Sequence, residues 1–147
     1  MTGKRVISLN LPIRQFQNEF DRSHEHIKWL KKKFPNIESD TVELTSALET
    51  FENIFPKNIQ DFHTMANARS RIRMIILYAF ATHHKLLVAG TGNKVEDFGV
   101  GFFTKYGDGG VDLSPIADLY KSEVYKLAKE LGVVESILNA VPTDGLF

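Results

Sequence analysis

The chain has 147 residues, and its 18 lysine and arginine residues balance 18 aspartate and glutamate residues. This balance excludes the high net charge that is typical of proteins that bind nucleic acid or an anionic membrane. It contains no cysteine, so disulfides, zinc–thiolate sites and cysteine nucleophiles are excluded. No apolar run approaches the roughly 20 residues that a transmembrane helix requires. We therefore predict a soluble, cytoplasmic domain without nucleic-acid or membrane partners.

Strands and helices alternate along the predicted secondary structure. Runs of aliphatic and β-branched residues predict three strands, at Arg5–Leu11, Thr41–Leu44 and Leu86–Ala89. Apolar residues at helical spacing predict five helices, over about 16–34, 45–55, 61–84, 119–131 and 134–139. The longest helix has its predicted apolar side at Met65, Ile72, Ile75, Ile76, Ala79 and Phe80. This alternation predicts an α/β fold in which helices flank a partial, doubly wound parallel sheet.

A motif of small residues, Gly90-Thr91-Gly92-Asn93, follows the third predicted strand directly. In open parallel α/β sheets, ligands bind beyond the carboxyl ends of the strands, and the Thr91 hydroxyl could donate a hydrogen bond to a phosphate or a ribose. The same motif is equally typical of a simple turn. Its spacing also differs from the GxGxxG pattern of dinucleotide-binding loops.

Glu96 and Lys121 each lie near the expected N-terminus of a helix. The Glu96 carboxylate could bind Mg²⁺ beside a phosphate, because hard cations prefer oxygen ligands, or it could simply interact with the helix dipole. The same dipole disfavours Lys121, and a bound phosphate would reverse that effect.

Lys105 and Asp112 lie in the glycine-rich part of the chain. A lysine in a loop that glycines allow to close tightly suits an anionic ligand, although a solvated loop lysine fits equally well. Asp112 either accepts hydrogen bonds from a ligand or caps the turn before Pro115.

Three arginines, Arg69, Arg71 and Arg73, alternate within the longest predicted helix. Residues two apart on a helix diverge by about 200°, so these side chains cannot all point the same way. One or two of them must point toward a partner or a cleft, where arginine suits carboxylate or phosphate recognition. The alternative is a solvated face with salt bridges.

Taken together, four motifs resemble those of ammonia-dependent NAD synthetases: 71-RIRM-74, 90-GTGNKVED-97, 102-FFTKYGDGGVDLSPIADLYKSEV-124 and 142-PTDGL-146. The resemblance implies an ATP-pyrophosphatase domain with an adenine nucleotide α-hydrolase-like, Rossmann-like fold, usually in a homodimer. It also implies a ligase that converts nicotinic acid adenine dinucleotide (deamido-NAD), ATP and ammonia into NAD, AMP and pyrophosphate with Mg²⁺.

The resemblance assigns a role to each matching residue. It implies that ATP is contacted by Thr91, Lys121 and Thr143. It implies that deamido-NAD is contacted by Arg71, Lys105 and Asp112. It makes Glu96 a Mg²⁺ ligand, and it implies no protein nucleophile.

The chain departs from this pattern because the family's phosphate-binding signature, SGGxDS, does not occur in its sequence. We therefore expect residues 1–147 to form a single, truncated domain that has little synthetase activity by itself. The alternatives are a non-catalytic nucleotide-binding remnant, one half of a complemented enzyme, or another ATP-pyrophosphatase. The FFTKYGDGG motif argues against a GMP synthetase-like enzyme, and the balanced charge argues against a tRNA-modifying one.

Overall fold

The computed structural model describes residues 3–141. In chain order the elements are β1 (Val6–Asn10), α1 (Gln17–Lys33), β2 (Ile37–Thr41), α2 (Thr45–Ile54), a 3₁₀ turn (Lys57–Ile59), α3 (Phe62–His84), a π-helical segment (Lys94–Val100), α4 (Lys121–Glu130) and α5 (Glu135–Leu138). The described residues fall into two compact units. The first contains those up to Thr45 and those from Ala128 onward, and the second contains Ser46–Leu127. The single, truncated domain stays a prediction.

The first unit contains a parallel sheet in which β1 pairs with β2, from Val6 beside Ile37 to Asn10 beside Thr41. The predicted first strand is confirmed, one residue shorter at each end. Arg5, just before β1, forms an exposed two-contact ion pair with Glu38 of β2, at 2.6 and 2.7 Å.

The predicted second strand, Thr41–Leu44, is wrong, because the observed strand lies four residues earlier at Ile37–Thr41. Four of its five residues are polar, and Glu38 and Asp40 are exposed, so the strand carries no hydrophobic signal. Its position is fixed by pairing with β1, which sequence hydrophobicity does not report. The regular ladder ends where β1 runs into Pro12, which has no N–H to donate.

Helix α1 confirms the first predicted helix, and it contacts β2 and α5 within the same unit. Its apolar stripe is half-buried, whereas Phe16 at its start is 70% exposed. The buried apolar residues of this unit come instead from the segments that follow the strands: Leu11, Ile13 and Leu44. In the last turn of α1, the Lys33 ammonium donates a hydrogen bond to the carbonyl of Leu131.

Helix α3 dominates the second unit and confirms the longest predicted helix. Asp61 caps its N-terminus by accepting a hydrogen bond from the Thr64 N–H at 3.0 Å, and Lys85 ends it in the left-handed conformation with φ 56°. The predicted apolar side is partly wrong. Ile75 is 60% exposed, whereas Met74 is buried in a cluster with Ala81 and Val88, against which Leu77, Tyr78 and Val111 pack.

The predicted third strand, Leu86–Ala89, is an extended segment rather than a regular strand. Its only bridge among residues 3–141 joins Ala89 to Leu113 in a parallel sense, and Leu87 is 65% exposed. The backbone of Val88 accepts from the N–H of Asp112 at 3.0 Å. The partner segment is too short to continue this pairing into a ladder.

The last two helices confirm their predictions with shifted ends. Helix α4 begins at Lys121 because the Glu123 carboxylate accepts a hydrogen bond from the Tyr120 N–H at 2.8 Å, as in a capping box. Gly132 has φ 66° and ends this helix as predicted. Helix α5 is shorter than expected at both ends. Within residues 3–141, no helix combines the length and apolar character needed to cross a bilayer.

Candidate functional site

Asn93 anchors the segment that follows the small-residue motif. Its side chain is 1% exposed, and its Oδ1 accepts hydrogen bonds from the N–H groups of Val95 at 3.0 Å and Glu96 at 3.1 Å. Two N–H groups at the start of the π-helical segment are thereby satisfied. This cap places Glu96 in the first helical turn, as expected, while Thr91 lies exposed just before it.

The carboxylate of Glu96 forms an ion pair with Lys121, the first residue of α4. Glu96 Oε1 lies 2.6 Å from Lys121 Nζ, and the two side chains are 39% and 46% exposed. Water screens a pair this exposed, so it adds no more than about 1 kcal/mol to stability. The pair offsets the unfavourable position of Lys121 at a helix N-terminus. It also leaves both groups close enough to the surface to exchange partners.

At Gly92 the Asp97 carboxyl group lies directly against the backbone. A Cβ at position 92 would lie 1.9 Å from Asp97 Oδ2. Burial raises the pKa of Asp97, and the negative charges of Asp108 and Glu96 raise it further. Three carboxyl groups therefore influence one region, in which a cation is electrostatically favoured.

Arg71 and Lys105 meet through the backbone of the glycine-rich loop. Arg71 Nε donates a hydrogen bond to the Lys105 carbonyl oxygen at 3.1 Å, and both residues are exposed. Lys105 Nζ lies 5.1 Å from the centroid of the Tyr106 ring. Tyr106 has φ 63°, a left-handed conformation that is unfavourable for an aromatic residue. The loop therefore holds Lys105 beside a strained turn.

The other two arginines of α3 point elsewhere, as the helical geometry predicts. Arg69 and Arg73 are half-buried, in contrast to Arg71. Burial lowers the pKa of Arg73, and the neighbouring charge of Arg69 lowers it further. This face of α3 therefore carries two like charges one turn apart.

Asp112 holds the end of the glycine-rich stretch in place. Its Oδ2 accepts from the Val88 N–H at 2.8 Å, and its Oδ1 accepts from the Tyr78 hydroxyl at 3.2 Å. The same hydroxyl lies 3.0 Å from the Gly110 carbonyl oxygen. Burial raises the pKa of Tyr78, and the charge of Asp112 raises it further. Asp112 therefore has a structural role, while each carboxylate oxygen retains a lone pair for another donor.

The structure thus joins four of the predicted site residues into two pairs, Glu96 with Lys121 and Arg71 with Lys105. The members of each pair come from distant motifs: Glu96 and Lys121 are 25 positions apart in sequence, and Arg71 and Lys105 are 34 positions apart. Asp112 does not belong to either pair through the contacts described above. Each of these two contacts joins residues to which the family resemblance assigns the same ligand, Mg-ATP or deamido-NAD.

One predicted site residue, Thr143, lies outside residues 3–141. Three residues with important contacts were not predicted: Asn93, Ser70 and Asp108. An asparagine directly before a helix is an N-cap signal, which could have identified Asn93. Ser70 and Asp108 form a hydrogen bond with each other although they are 38 positions apart in sequence, and no local sequence pattern predicts such a contact.

Glu96 suits a single metal contact rather than a complete protein site. Among residues 3–141, no group of three histidine, aspartate or glutamate side chains could hold a metal ion. Mg²⁺ in nucleotide-binding proteins is usually bound by one or two carboxylates together with phosphate oxygens and water. A half-exposed carboxylate in an acidic region fits that chemistry.

Comparisons with known proteins give a consistent family. The family model described as NAD synthase matches residues 1–147. The chain is 40% identical over 141 residues to an NH(3)-dependent NAD(+) synthetase of Mycoplasma genitalium, covering 96% of this chain and 55% of that protein. It is 46% identical over 112 residues to one of Methanococcoides burtonii, covering 76% and 42%. The chain thus spans about half the length of the curated relatives it matches.

Two solved structures are similar to this chain over most of its length. An NMN synthetase from Francisella tularensis has a TM-score of 0.89 and 35% identity, covering 99% of this chain and 59% of that one. An NH3-dependent NAD synthetase from Campylobacter jejuni, in complex with nitrate, has a TM-score of 0.77 and 34% identity, covering 90% and 55%. These similarities confirm the predicted α/β fold class.

Proposed function

Because this chain belongs to the NAD synthase family, we propose that it takes part in the ATP-dependent amidation of a nicotinic acid nucleotide by ammonia. The observation that carries this proposal is the contact between Glu96 and Lys121 at 2.6 Å. The first residue was predicted to bind the magnesium of ATP and the second to bind ATP itself. Their motifs are distant in sequence, yet the fold brings these two groups together.

The reaction has two steps that balance without a protein nucleophile. The nicotinate carboxylate attacks the α-phosphorus of ATP, which forms an acyl adenylate and releases pyrophosphate. Ammonia then attacks the activated carbonyl carbon, so that the amide forms, AMP leaves and one proton is released. Both reactants of the first step are anionic, and cationic side chains lower the barrier by offsetting their charge.

On the ATP side, Lys121 would release Glu96 and contact a phosphate, with Thr91 and Thr143 as further contacts. Glu96 would then hold the magnesium ion that accompanies ATP, and this ion would supply further charge neutralisation at the triphosphate. Such an exchange replaces one exposed ion pair by two charge-assisted contacts. It is favoured by the exposure of both side chains.

On the side of the nicotinic acid nucleotide, Lys105, Arg71 and Asp112 are the proposed contacts. Arg71 already uses Nε to hold the Lys105 carbonyl, which leaves its terminal nitrogens for a phosphate or carboxylate. The Asp112 carboxylate is fixed by Val88 and Tyr78, so it could receive a ribose hydroxyl without reorganisation.

A second candidate function is the amidation of nicotinic acid mononucleotide. The observation in its favour is the similarity to the F. tularensis NMN synthetase, with a TM-score of 0.89 over 99% of this chain. The chemistry at the carboxylate is the same for both substrates, which differ in the presence of the adenylate half. Only a direct comparison of the two substrates separates these candidates.

The decisive experiment incubates the purified 147-residue chain with Mg-ATP, ammonium and one of the two nicotinic acid nucleotides. Chromatography then quantifies the amide product and AMP. Because the SGGxDS signature does not occur in the sequence, we expect only a small yield of the two products, in equal amounts. Lys105→Ala should lower that yield about 10- to 100-fold further, the effect of losing a charged contact. The matched control is Lys126→Ala, which removes an exposed lysine from α4.

The outcomes separate catalysis from binding. Product with the dinucleotide but not the mononucleotide supports NAD synthesis, and the reverse supports the second candidate. If no product forms, calorimetric binding of either nucleotide that depends on Lys105 supports a nucleotide-binding role without turnover. Neither product nor binding would overturn the proposed function. The family resemblance also implies a homodimer, which a sedimentation mass near twice that of the monomer would support.

A further inference from the structure

Ser70 of α3 and Asp108 of the glycine-rich loop exchange two hydrogen bonds. The Ser70 hydroxyl donates to Asp108 Oδ1 at 2.6 Å, and the Asp108 N–H donates to Ser70 Oγ at 3.0 Å. A reciprocal pair of this kind fixes both the position and the orientation of the loop on the helix. Neither residue has a role in the function proposed above.

Thr104 extends this pair into a small network. Its N–H donates to Asp108 Oδ1 at 3.1 Å, and its hydroxyl donates to Asn67 Oδ1 at 2.8 Å. Asn67 lies three residues before Ser70, on the same face of α3. Thr104 is 9% exposed, so its polar groups depend on these partners. The carboxylate of Asp108 therefore accepts hydrogen bonds both from Thr104, at the start of the loop, and from Ser70 of α3.

Close packing restricts the loop at the same place. A Cβ at position 107 would lie 2.3 Å from Ser70 Oγ and 2.9 Å from Thr104 Cβ. The backbone of Gly107 therefore passes directly against the serine hydroxyl. The Gly107 N–H donates to the Thr104 carbonyl at 2.9 Å, which closes the turn.

Tyr106 lies within this turn and has φ 63°. A non-glycine residue in such a conformation is strained and persists only when its surroundings enforce it. The neighbours on either side provide that enforcement: Arg71 holds the Lys105 carbonyl at 3.1 Å, and Ser70 holds Asp108. Loss of the Ser70 contact would allow Tyr106 to relax and Lys105 to move with it.

We propose that Ser70 and Asp108 are positioning residues, which fix Lys105 for the nicotinic acid nucleotide by holding the strained turn at Tyr106 on α3. They act through the loop and do not contact the ligand. This inference rests on the proposed function only where it assigns Lys105 to an anionic substrate. The order of the loop itself is independent of that assignment.

The test compares Ser70→Ala with the unchanged 147-residue chain in two measurements. Amide hydrogen exchange reports the order of residues 104–110, and calorimetry with nicotinic acid adenine dinucleotide reports affinity. We expect exchange at Thr104 and Asp108 to be about tenfold faster, because local opening becomes easier, and affinity to fall about tenfold. Ser122→Ala, which removes an exposed serine from α4, is the matched control and should change neither.

Variants of Asp108 distinguish positioning from general destabilisation. Asp108→Asn keeps an Oδ1 acceptor for Ser70 and Thr104 and should retain most of the affinity, whereas Asp108→Ala should match Ser70→Ala. The effects of Ser70→Ala and Asp108→Ala on affinity should be less than additive in the double variant, because each single change already removes the hydrogen bond from the Ser70 hydroxyl to Asp108 Oδ1.

Each outcome decides the proposal. Unchanged exchange in Ser70→Ala overturns it. Faster exchange with unchanged affinity overturns the link to Lys105. If the unchanged chain binds neither nicotinic acid nucleotide, the proposed function fails and the affinity claim fails with it, while exchange still decides whether Ser70 orders the loop.

Discussion

The glycine-rich stretch has two halves that are held in different ways. In the upstream half, residues 90–103, a single buried side chain, Asn93, caps the π-helical segment. The apolar residues beyond this cap are largely exposed, with Phe98 at 74% and Val100 at 73%. This half is held by that cap, by the exposed ion pair between Glu96 and Lys121, and by backbone hydrogen bonds from Gly90 to Leu113 and from Lys94 to Leu119.

In the downstream half, residues 104–113, several side chains of α3 reach the loop: Asn67, Ser70, Arg71 and Tyr78. Because four side chains of α3 share these contacts, the loop does not depend on any one of them. Glycines occur in both halves, and at Gly92 and Gly107 they allow close approach by other groups of the same chain. The two halves thus differ in the side chains that hold them: one buried cap in the upstream half, and several side chains of α3 in the downstream half.

The largest effect on stability should come from Asn93→Ala in the upstream half. This change leaves the part-buried N–H groups of Val95 and Glu96 without their acceptor, so we expect the free energy of unfolding to fall by about 2 to 3 kcal/mol. Urea unfolding followed by circular dichroism measures the difference. Asn53→Ala on α2 is the control, because Asn53 is exposed, and it should change stability by less than about 0.5 kcal/mol. Equal effects of the two variants would show that the cap does not anchor this half.

A smaller effect, of about 1 to 2 kcal/mol, is expected for Gly107→Ala in the downstream half. The added methyl group would lie 2.3 Å from Ser70 Oγ and would push the loop away from α3. Part of this loss should disappear in the Ser70→Ala background, where the clashing oxygen is absent, so the two changes should be non-additive. Gly99→Ala is the control, since its nearest contact would be an ordinary 3.6 Å. Strict additivity would contradict the packing described for Gly107.

The difference between local contacts and contacts with distant elements also explains which parts of the fold can be predicted from the sequence. Helix α3 is predicted correctly because periodicity and the Asp61 cap are local signals. Strand β2 is missed because its position depends on β1, and Ile75 is wrongly placed inside because α3 also packs against Val88. In each failure the deciding partner is distant in sequence.

The candidate site follows the same rule. Motif resemblance selects Glu96, Lys121, Arg71 and Lys105, and the local capping pattern places Glu96 in a first helical turn. No local signal could show that Glu96 and Lys121 meet, because 25 residues separate them. The supporting contacts of Ser70 are invisible for the same reason.

A change at the ion pair should affect ligand binding far more than stability. Lys121→Met keeps an unbranched side chain but removes the charge, and an exposed pair contributes at most about 1 kcal/mol to folding. Affinity for Mg-ATP should nevertheless fall about tenfold or more, as expected for a lost charge-assisted contact. Calorimetric titration measures this, with Lys126→Met on the same helix as the control. An unchanged affinity would remove Lys121 from the proposed ATP site.

The smallest expected effect concerns the cap of α3 and appears only in acid. Hydrogen bonds from the hydroxyl and the N–H of Thr64 lower the pKa of Asp61 below its ordinary value of 3.8. A lowered pKa in the folded chain means that this carboxylate stabilises the fold above pH 3.8 and that the contribution is lost as the pH falls further, through the folded value. Asp61→Ala should therefore be less stable than the unchanged chain at pH 7, and the difference should shrink below pH 3.8.

Asp61→Asn retains an acceptor for the Thr64 N–H without an ionisable group, so its stability relative to Asp61→Ala should not depend on pH in this range. Urea midpoints from pH 7 to pH 2.5 measure both differences. If Asp61→Ala keeps its full deficit at the lowest pH, the cap does not act through its charge, and the cap would then stabilise α3 by hydrogen bonding alone.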